Sequence, residues 1–377
     1  MQTAKFRTRQ EIRRAQNPKG NHYIIGLDAG YSSMKCCHES GYFCFPSYVR
    51  RLDQELMFPS GEDILYRDLK TGELYIMGYS AQNMAGSLET NDTDGELYSR
   101  KRYGNRNFQI LCNAAIAMAL EYKTDNREIL IQTGLPSAYE TADTPEIKKA
   151  LSKPARFELR IGDGKWKEYG LEIKKDNIFV MAQPAGSLYS VLIQNDGKYT
   201  KDARSLLFSN VLVMDIGFGT FDFYGIKNRA IVCRDSIDEI GMKQVLSETS
   251  AQILKQTGED IRLQALQKKL TAGTIICLNE DTMQEEEKPI APFLEEANDK
   301  VFQTAINKAK SITSSFRDYQ YLIVTGGTGA AWMEKIQKYL SGMKSLVILP
   351  GNLNNDKIPM IYSNVRGYYM YRYMVSK

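Results

Sequence analysis

VLVMDIGFGTFDF, residues 211–223, drives four apolar residues into an aspartate, turns on glycines and returns as a second strand. A short apolar run of this kind reads as a fully buried strand, and Gly217 and Gly219 supply the turn. An acid at the end of such a strand needs a reason. A second copy lies upstream, where YIIGLDAGYSSMK, residues 23–35, repeats strand, aspartate, glycine turn and returning strand. Aligned, Asp28 stands with Asp215, Gly30 with Gly217, Tyr31 with Phe218 and Ser33 with Thr220, at an offset of 187 (215 − 28).

The flanks repeat as well. EILIQTG (128–134) matches YLIVTGG (321–327), with Thr133 facing Thr325 at an offset of 192 (325 − 133). Each follows a helix-patterned segment, NFQILCNAAIAMALEY (107–122) in one half and PFLEEANDKVFQTAINKAKS (292–311) in the other. The chain therefore reads as α/β, a strand–hairpin–helix–strand plan used twice. Between the shared elements, residues 50–105 are polar and turn-rich, 154–177 predict a hairpin around GDGK, and 246–300 read as helical with a solvated acidic run, EEEK. PAGSLYSVLIQ (184–194) predicts the helix that links the halves.

Composition narrows the class. A chain of 377 residues is long for one hydrophobic core and suits two domains. No apolar run approaches the ~20 residues that cross a bilayer and no secretory signal opens the chain, so the expected location is cytoplasmic, without membrane contact. The six cysteines form no C-x-x-C pair and suit reduced thiols. With only His22 and His38 in the chain, a histidine-based hydrolytic triad lacks candidates. The net charge of +4 belongs to residues 1–21, where six cations (Lys5, Arg7, Arg9, Arg13, Arg14, Lys19) against Glu11 leave +5. This extension, with few apolar residues, is expected to be a solvated, disordered arm, and nothing in it is a sequence-specific nucleic-acid motif.

Two familiar phosphate motifs fail. G-x-G-x-x-G needs a third glycine and a following helix, but position 222 is Asp222 and a strand follows; no G-x-x-x-x-G-K-[ST] occurs. What remains is a pair of glycine turns whose backbone N–H groups, with Ser32, Ser33 and Thr220, suit phosphate oxygens. Carboxylates beside a polyphosphate require a cation between, and magnesium accepts such oxygen ligands while keeping its waters. Lys35 is placed to add a point charge to the phosphates. A third glycine cluster, TGGTGAAW (325–332), opens a helix-patterned run and suits a flat ligand. Any one D-x-G alone is a common turn; the duplication is what favours the site.

DAGYSSMK (28–35) resembles the first phosphate loop of the actin and sugar-kinase superfamily, DIGFGTFD (215–222) its second, and VTGGTGA (324–330) its adenosine motif. FVMAQPAG (179–186) is similar to the segment that places a catalytic carboxamide or carboxylate, and DSIDEIG (235–241) to the turn before the next helix. Within the superfamily the chain looks most like the plasmid-segregating bacterial actins of the ParM family. The resemblance spans residues 22–377.

That resemblance implies a duplicated, ribonuclease H-like, two-domain ATPase fold with a nucleotide cleft between the domains. Domain I would cover 22–209, with 360–377 packing back on it, and domain II 210–359, its insert at about 246–300. Asp28 and Asp215 would hold Mg2+ through water, Asp215 would also polarise the attacking water, and Gln183 would position it. ATP or GTP would meet Gly30, Tyr31, Ser32, Ser33, Lys35, Gly217, Gly219, Thr220, Gly241, Lys268 (or its neighbour Lys269), Gly326, Gly327, Thr328 and Gly329. Glutamine at 183, where glutamate is familiar in ParM, orients water without accepting its proton. The implied partners are other copies of the chain, in a filament, and a DNA-bound adaptor of a plasmid partition system. A cell-shape or division actin and a small-molecule kinase of the same superfamily are the alternatives. The kinase lacks a candidate base beyond the two loop aspartates.

Overall fold

The structure is a computed structural model and describes residues 2–86, 100–279 and 281–377. Two sheets carry the repeated plan. In the first, β1 (Glu11–Arg14), β2 (Tyr23–Ala29), β3 (Ser33–His38), β4 (Gly41–Pro46), β8 (Ile129–Leu135) and β11 (Ile178–Ala182) lie in the order β1-β4-β3-β2-β8-β11. In the second, β12 (Val211–Ile216), β13 (Thr220–Lys227), β14 (Ala230–Asp238), β17 (Tyr321–Thr325) and β18 (Val347–Pro350) lie in the order β14-β13-β12-β17-β18. Removing β1 leaves identical topologies. β2 runs antiparallel to β3 and parallel to β8, as β12 does to β13 and β17. The duplication read from the aspartate loops is thus present in the backbone.

Every residue of β2 and of β12 is buried, which is the pattern of strands covered on both faces. Helix Arg106–Leu120 covers one face of the first sheet and helix Gly327–Tyr339 one face of the second. Between the sheets lie two helices packed on each other, Gln183–Leu192 and Ser363–Val375. Their apolar residues share one core with both sheets, uniting Leu188, Val365 and Tyr368 with Ile24, Val213 and Ile323. The helix Ser363–Val375 lies against β2, β3 and β8, so the last helix closes the face of the first sheet.

The inserts depart from the sequence reading in part. The hairpin around GDGK forms, as β9 (Ala155–Ile161) and β10 (Lys167–Leu171). It joins β5 (Val49–Leu52), β6 (Ile64–Asp68) and β7 (Leu74–Met77) in a five-stranded sheet, order β10-β9-β6-β7-β5, a pairing between segments about a hundred residues apart. Residues 246–300 are not helical throughout. After helices Met242–Thr257 and Leu263–Ala272 comes a hairpin of β15 (Thr274–Asn279) and β16 (Gln284–Pro289), which holds the exposed acidic run. In TIICLN, Ile275 and Cys277 point inward while Ile276 and Leu278 face out, a period of two rather than of a helix.

The basic extension is also corrected, because residues 2–21 are ordered. A single turn, Thr3–Phe6, buries Phe6 in the core of the second half, and β1 pairs antiparallel with β4 on the edge of the first sheet. One well-placed aromatic and one strand's ladder are enough to fix an arm whose composition alone reads as solvated. Its charges are partly spent locally, Arg13 on Glu11 and Lys19 on Glu39.

Candidate functional site

Both aspartate loops open on one cavity of about 370 Å³ between the two sheets. Each loop closes in the same way, Gly30 N donating to Ser33 O (3.2 Å) and Gly217 N to Thr220 O (2.9 Å). The repeated sequence therefore gives a repeated turn, and both aspartates reach the same space. Of the residues singled out from sequence, Asp28, Gly30, Tyr31, Ser32, Ser33, Lys35, Gln183, Asp215, Gly217, Thr220, Gly326, Gly327 and Thr328 line this cavity.

Asp28 and Asp215 are almost fully buried and differ in their partners. Asp28 faces Lys35 across the β2–β3 ladder and pairs with its ammonium at 3.0 Å, while Gln183 Nε2 donates to its other oxygen at 3.1 Å. Gln183 begins the inter-sheet helix just after β11, with Pro184 beside it in the first turn, and so its carboxamide enters the cleft. Asp215 has no cation within reach of a salt bridge among the described residues; Asn364 Nδ2 donates to it at 2.6 Å. Burial raises its carboxyl to about 6, the Asn364 hydrogen bond opposing this and Asp28 adding to it.

Asn364 is a residue that sequence reasoning missed. Its carbonyl oxygen lies 2.6 Å from Ser187 Oγ, itself 2.7 Å from Thr325 Oγ1, so both inter-sheet helices and β17 converge behind Asp215. No local signal marks it, since it is one polar residue on a helix 149 positions from its partner. Arg102 is a second. Its guanidinium is buried, lines the cleft, stacks 4.4 Å over Tyr31 and bonds the Tyr103 side chain, while its Nε has no hydrogen-bond partner and the group has no ion pair among the described residues. Beyond these, Pro359, Met360 and Ile361 form part of the wall near the third glycine cluster.

That cluster sits where backbone must come close. Gly326 has φ +86°, and a Cβ there would lie 2.6 Å from Asp215 Oδ1 and 2.3 Å from Ile216 O. Thr328 Oγ1 donates to Gly217 O (2.6 Å) and accepts from Met242 N (3.0 Å), joining the cluster to the second aspartate loop and to the next helix.

Four residues do not line the cavity. Gly219 lies against the Tyr31 ring, Gly329 packs on Val324 and Ile216, and Gly241 backs the second loop, where a Cβ would lie 2.4 Å from Gly217 O. These three shape the loops from behind. Lys268 is a correction: its side chain is exposed and its Nζ donates to Asn83 O at 3.2 Å, outside the cleft. The helix Leu263–Ala272 turns its buried residues, Leu266 and Leu270, to the core of the second half, which leaves Lys268 on the outer side.

Asp222 is a further buried acid. It faces Asp215 across the β12–β13 ladder, accepts from Ser137 N (3.0 Å) and from Ser236 Oγ, and is pushed up to about 7 by burial and then by Asp215. Its bond to Ser137 ties the first half's chain after β8 to the second sheet. His38, by contrast, is a buried strand residue stacked on Tyr122, lowered to about 4 by burial.

The sheets, the inter-sheet helices and the shared cleft define the class: the chain has an actin-like, two-domain α/β fold. Residues 26–186 match the family model of the actin-like proteins' N-terminal domain. The structure is similar to a ParM from Clostridium botulinum seen in a 15-stranded filament (16% identity, TM-score 0.70, covering 93% of this chain and 99% of that one). It is also similar to the archaeal actin homologue Ta0583 in complex with ADP (18% identity, TM-score 0.59, 92% and 98% covered). A third likeness is the actin-like protein Alp7A (14% identity, TM-score 0.63, 93% and 96% covered). No curated protein matches the chain.

Proposed function

We propose that this chain is a filament-forming nucleotidase of the bacterial-actin type, binding a magnesium nucleoside triphosphate, ATP or GTP, in the cleft. The observation that carries the reading is the pairing of Asp28 and Asp215, from equivalent strand ends, in one cavity floored by two glycine turns. The glycine turns suit phosphate oxygens, and the TGGTGA backbone suits a flat nucleoside. Arg102 strengthens it: a buried guanidinium with no acid paired to it among the described residues is costly and is completed by an anion such as a phosphoryl group.

The donor set fits magnesium. Two carboxylates in one cavity, the one at Asp215 raised by burial and by its neighbour, are relieved by a dication that keeps most of its waters. Bound there, the metal would supply charge neutralisation for the phosphates. Asp28 and Asp215 would hold it, Gln183 would orient the attacking water, and Lys35 would meet the phosphates. Closing of the two halves on the triphosphate would favour the assembling form, and hydrolysis would loosen it. The archaeal homologue's complex with ADP and the ParM filament support nucleotide binding and self-assembly respectively, as properties of those proteins. In the same reading the filament works in the cytoplasm and moves plasmid DNA through an adaptor.

Electron microscopy of the pure protein with magnesium and ATP, GTP or ADP tests this. Filaments with a triphosphate that shorten or vanish in the diphosphate support it. A monomer in every condition that phosphorylates a small molecule overturns it in favour of a kinase.

A further inference from the structure

The arm whose charge stood out in the sequence is built into the cleft. Starting in the second half, Thr3 Oγ1 donates to Leu270 O (2.7 Å) and Phe6 enters that half's core. Thr8 N then donates to Gln267 Oε1 (3.0 Å) as the chain crosses the cleft mouth. On the far side Gln10 bonds Glu62 O (2.7 Å) and Tyr79 N (2.8 Å), and β1 joins the first sheet. Five consecutive residues, Lys5 to Arg9, line the same cavity as the two aspartate loops.

Apart from Arg14, which does not line the cavity, the arm's cations divide into two groups. Arg7 is committed to Thr271, Asn83 and the Tyr79 ring, Arg13 to Glu11 and Lys19 to Glu39. Lys5 and Arg9 are exposed, line the cavity and form no side-chain hydrogen bond or ion pair among the described residues. Two unspent positive charges at the mouth of a cleft suited to polyphosphate form the complementary half of a binding site. A strap anchored on both sides also blocks the way out.

We propose that residues 5–9 are the outer wall of the nucleotide site, that Lys5 and Arg9 contact the bound nucleotide from within the same chain, and that release requires this segment to lift. The inference rests on the cleft being a nucleotide site. Its consequence is slow exchange: the bound nucleotide is held by a strap in addition to the two loops.

The test is stopped-flow release of a fluorescent ADP or ATP analogue from the full chain, chased with unlabelled nucleotide. The double variant Lys5→Ala/Arg9→Ala, which alters only exposed side chains, is expected to release it about tenfold faster, in keeping with the loss of charge-assisted contacts. Lys5→Arg/Arg9→Lys is expected to restore slow release. Phe6→Asp, which detaches the strap, should accelerate release at least as much while Lys5 and Arg9 remain. Binding with unchanged release in the double variant and in Phe6→Asp overturns the strap and leaves the nucleotide site standing. A wild-type chain that binds no analogue overturns both.

Discussion

The two aspartate loops share strand, turn and hydrogen-bond closure, yet their acids stand in different electrostatic states. Asp28 has a cation and a carboxamide; Asp215 has a single amide and stays raised to about 6. Duplication supplied two equal frames, and the difference comes from what each frame was given to face. The second half kept the acid that gains most from a cation or a proton. The first half kept an ammonium and a carboxamide beside its acid.

The comparison breaks most visibly at Asp215. Asp215→Ala is expected to slow phosphate release by about 10²–10⁴-fold, the usual range for a lost proton-handling group, while nucleotide remains bound. Unchanged turnover would remove the asymmetry from the mechanism. Lys35→Ala is expected to weaken triphosphate binding about tenfold, as for a charged hydrogen bond, and diphosphate less. Titrations showing equal affinity for both proteins would confine Lys35 to its pair with Asp28.

A smaller effect appears in stability against pH. The raised folded-state values of Asp215 and Asp222 mean that the folded chain holds protons the unfolded chain has lost. Their stabilising contribution is present below about pH 4, near the ordinary carboxyl value, and is lost as pH rises through about 6 to 7. Depressed acids such as Asp125, held at about 2 by Arg127, slope the other way, so a difference measurement isolates the pair. Asp222→Asn is expected to raise the melting temperature relative to wild type at pH 8 and to lose that gain at pH 4. A pH-independent difference would show that Asp222 does not carry the slope. The smallest expected effect is at Lys268, where Lys268→Ala should leave nucleotide affinity within twofold, since its amine meets Asn83 outside the cleft.

The duplicated loops were legible because everything that marks them is local: apolar strand, acid, glycine turn, returning strand. The third glycine cluster and Gln183 were legible through their likeness to known motifs and their place beside strand ends. Asn364 and Arg102 were not, for their meaning lies in contacts with residues far along the chain, and a polar or basic residue near a helix looks ordinary in sequence. The same reason hid the five-stranded sheet, whose strands come from two separated inserts. The arm misled in the opposite direction: its composition was read correctly as basic and poor in apolar residues, but one buried phenylalanine and one strand pairing outweighed it. Lys268 rests on the family resemblance alone, and the helix phase turns it away from the cleft.

The inter-sheet helix Ser363–Val375 has a bearing on how the molecule is made. It covers strands completed more than 300 residues earlier and supplies Asn364 to Asp215, and its Tyr369 holds Pro18 O at 2.7 Å. At ribosomal speeds of about 5–20 residues per second, the first sheet waits tens of seconds for its cover. During that interval the cleft has neither its wall at 359–361 nor the partner of its second acid. Nascent chains therefore cannot offer the finished pocket before residues 359–364 have emerged and folded back.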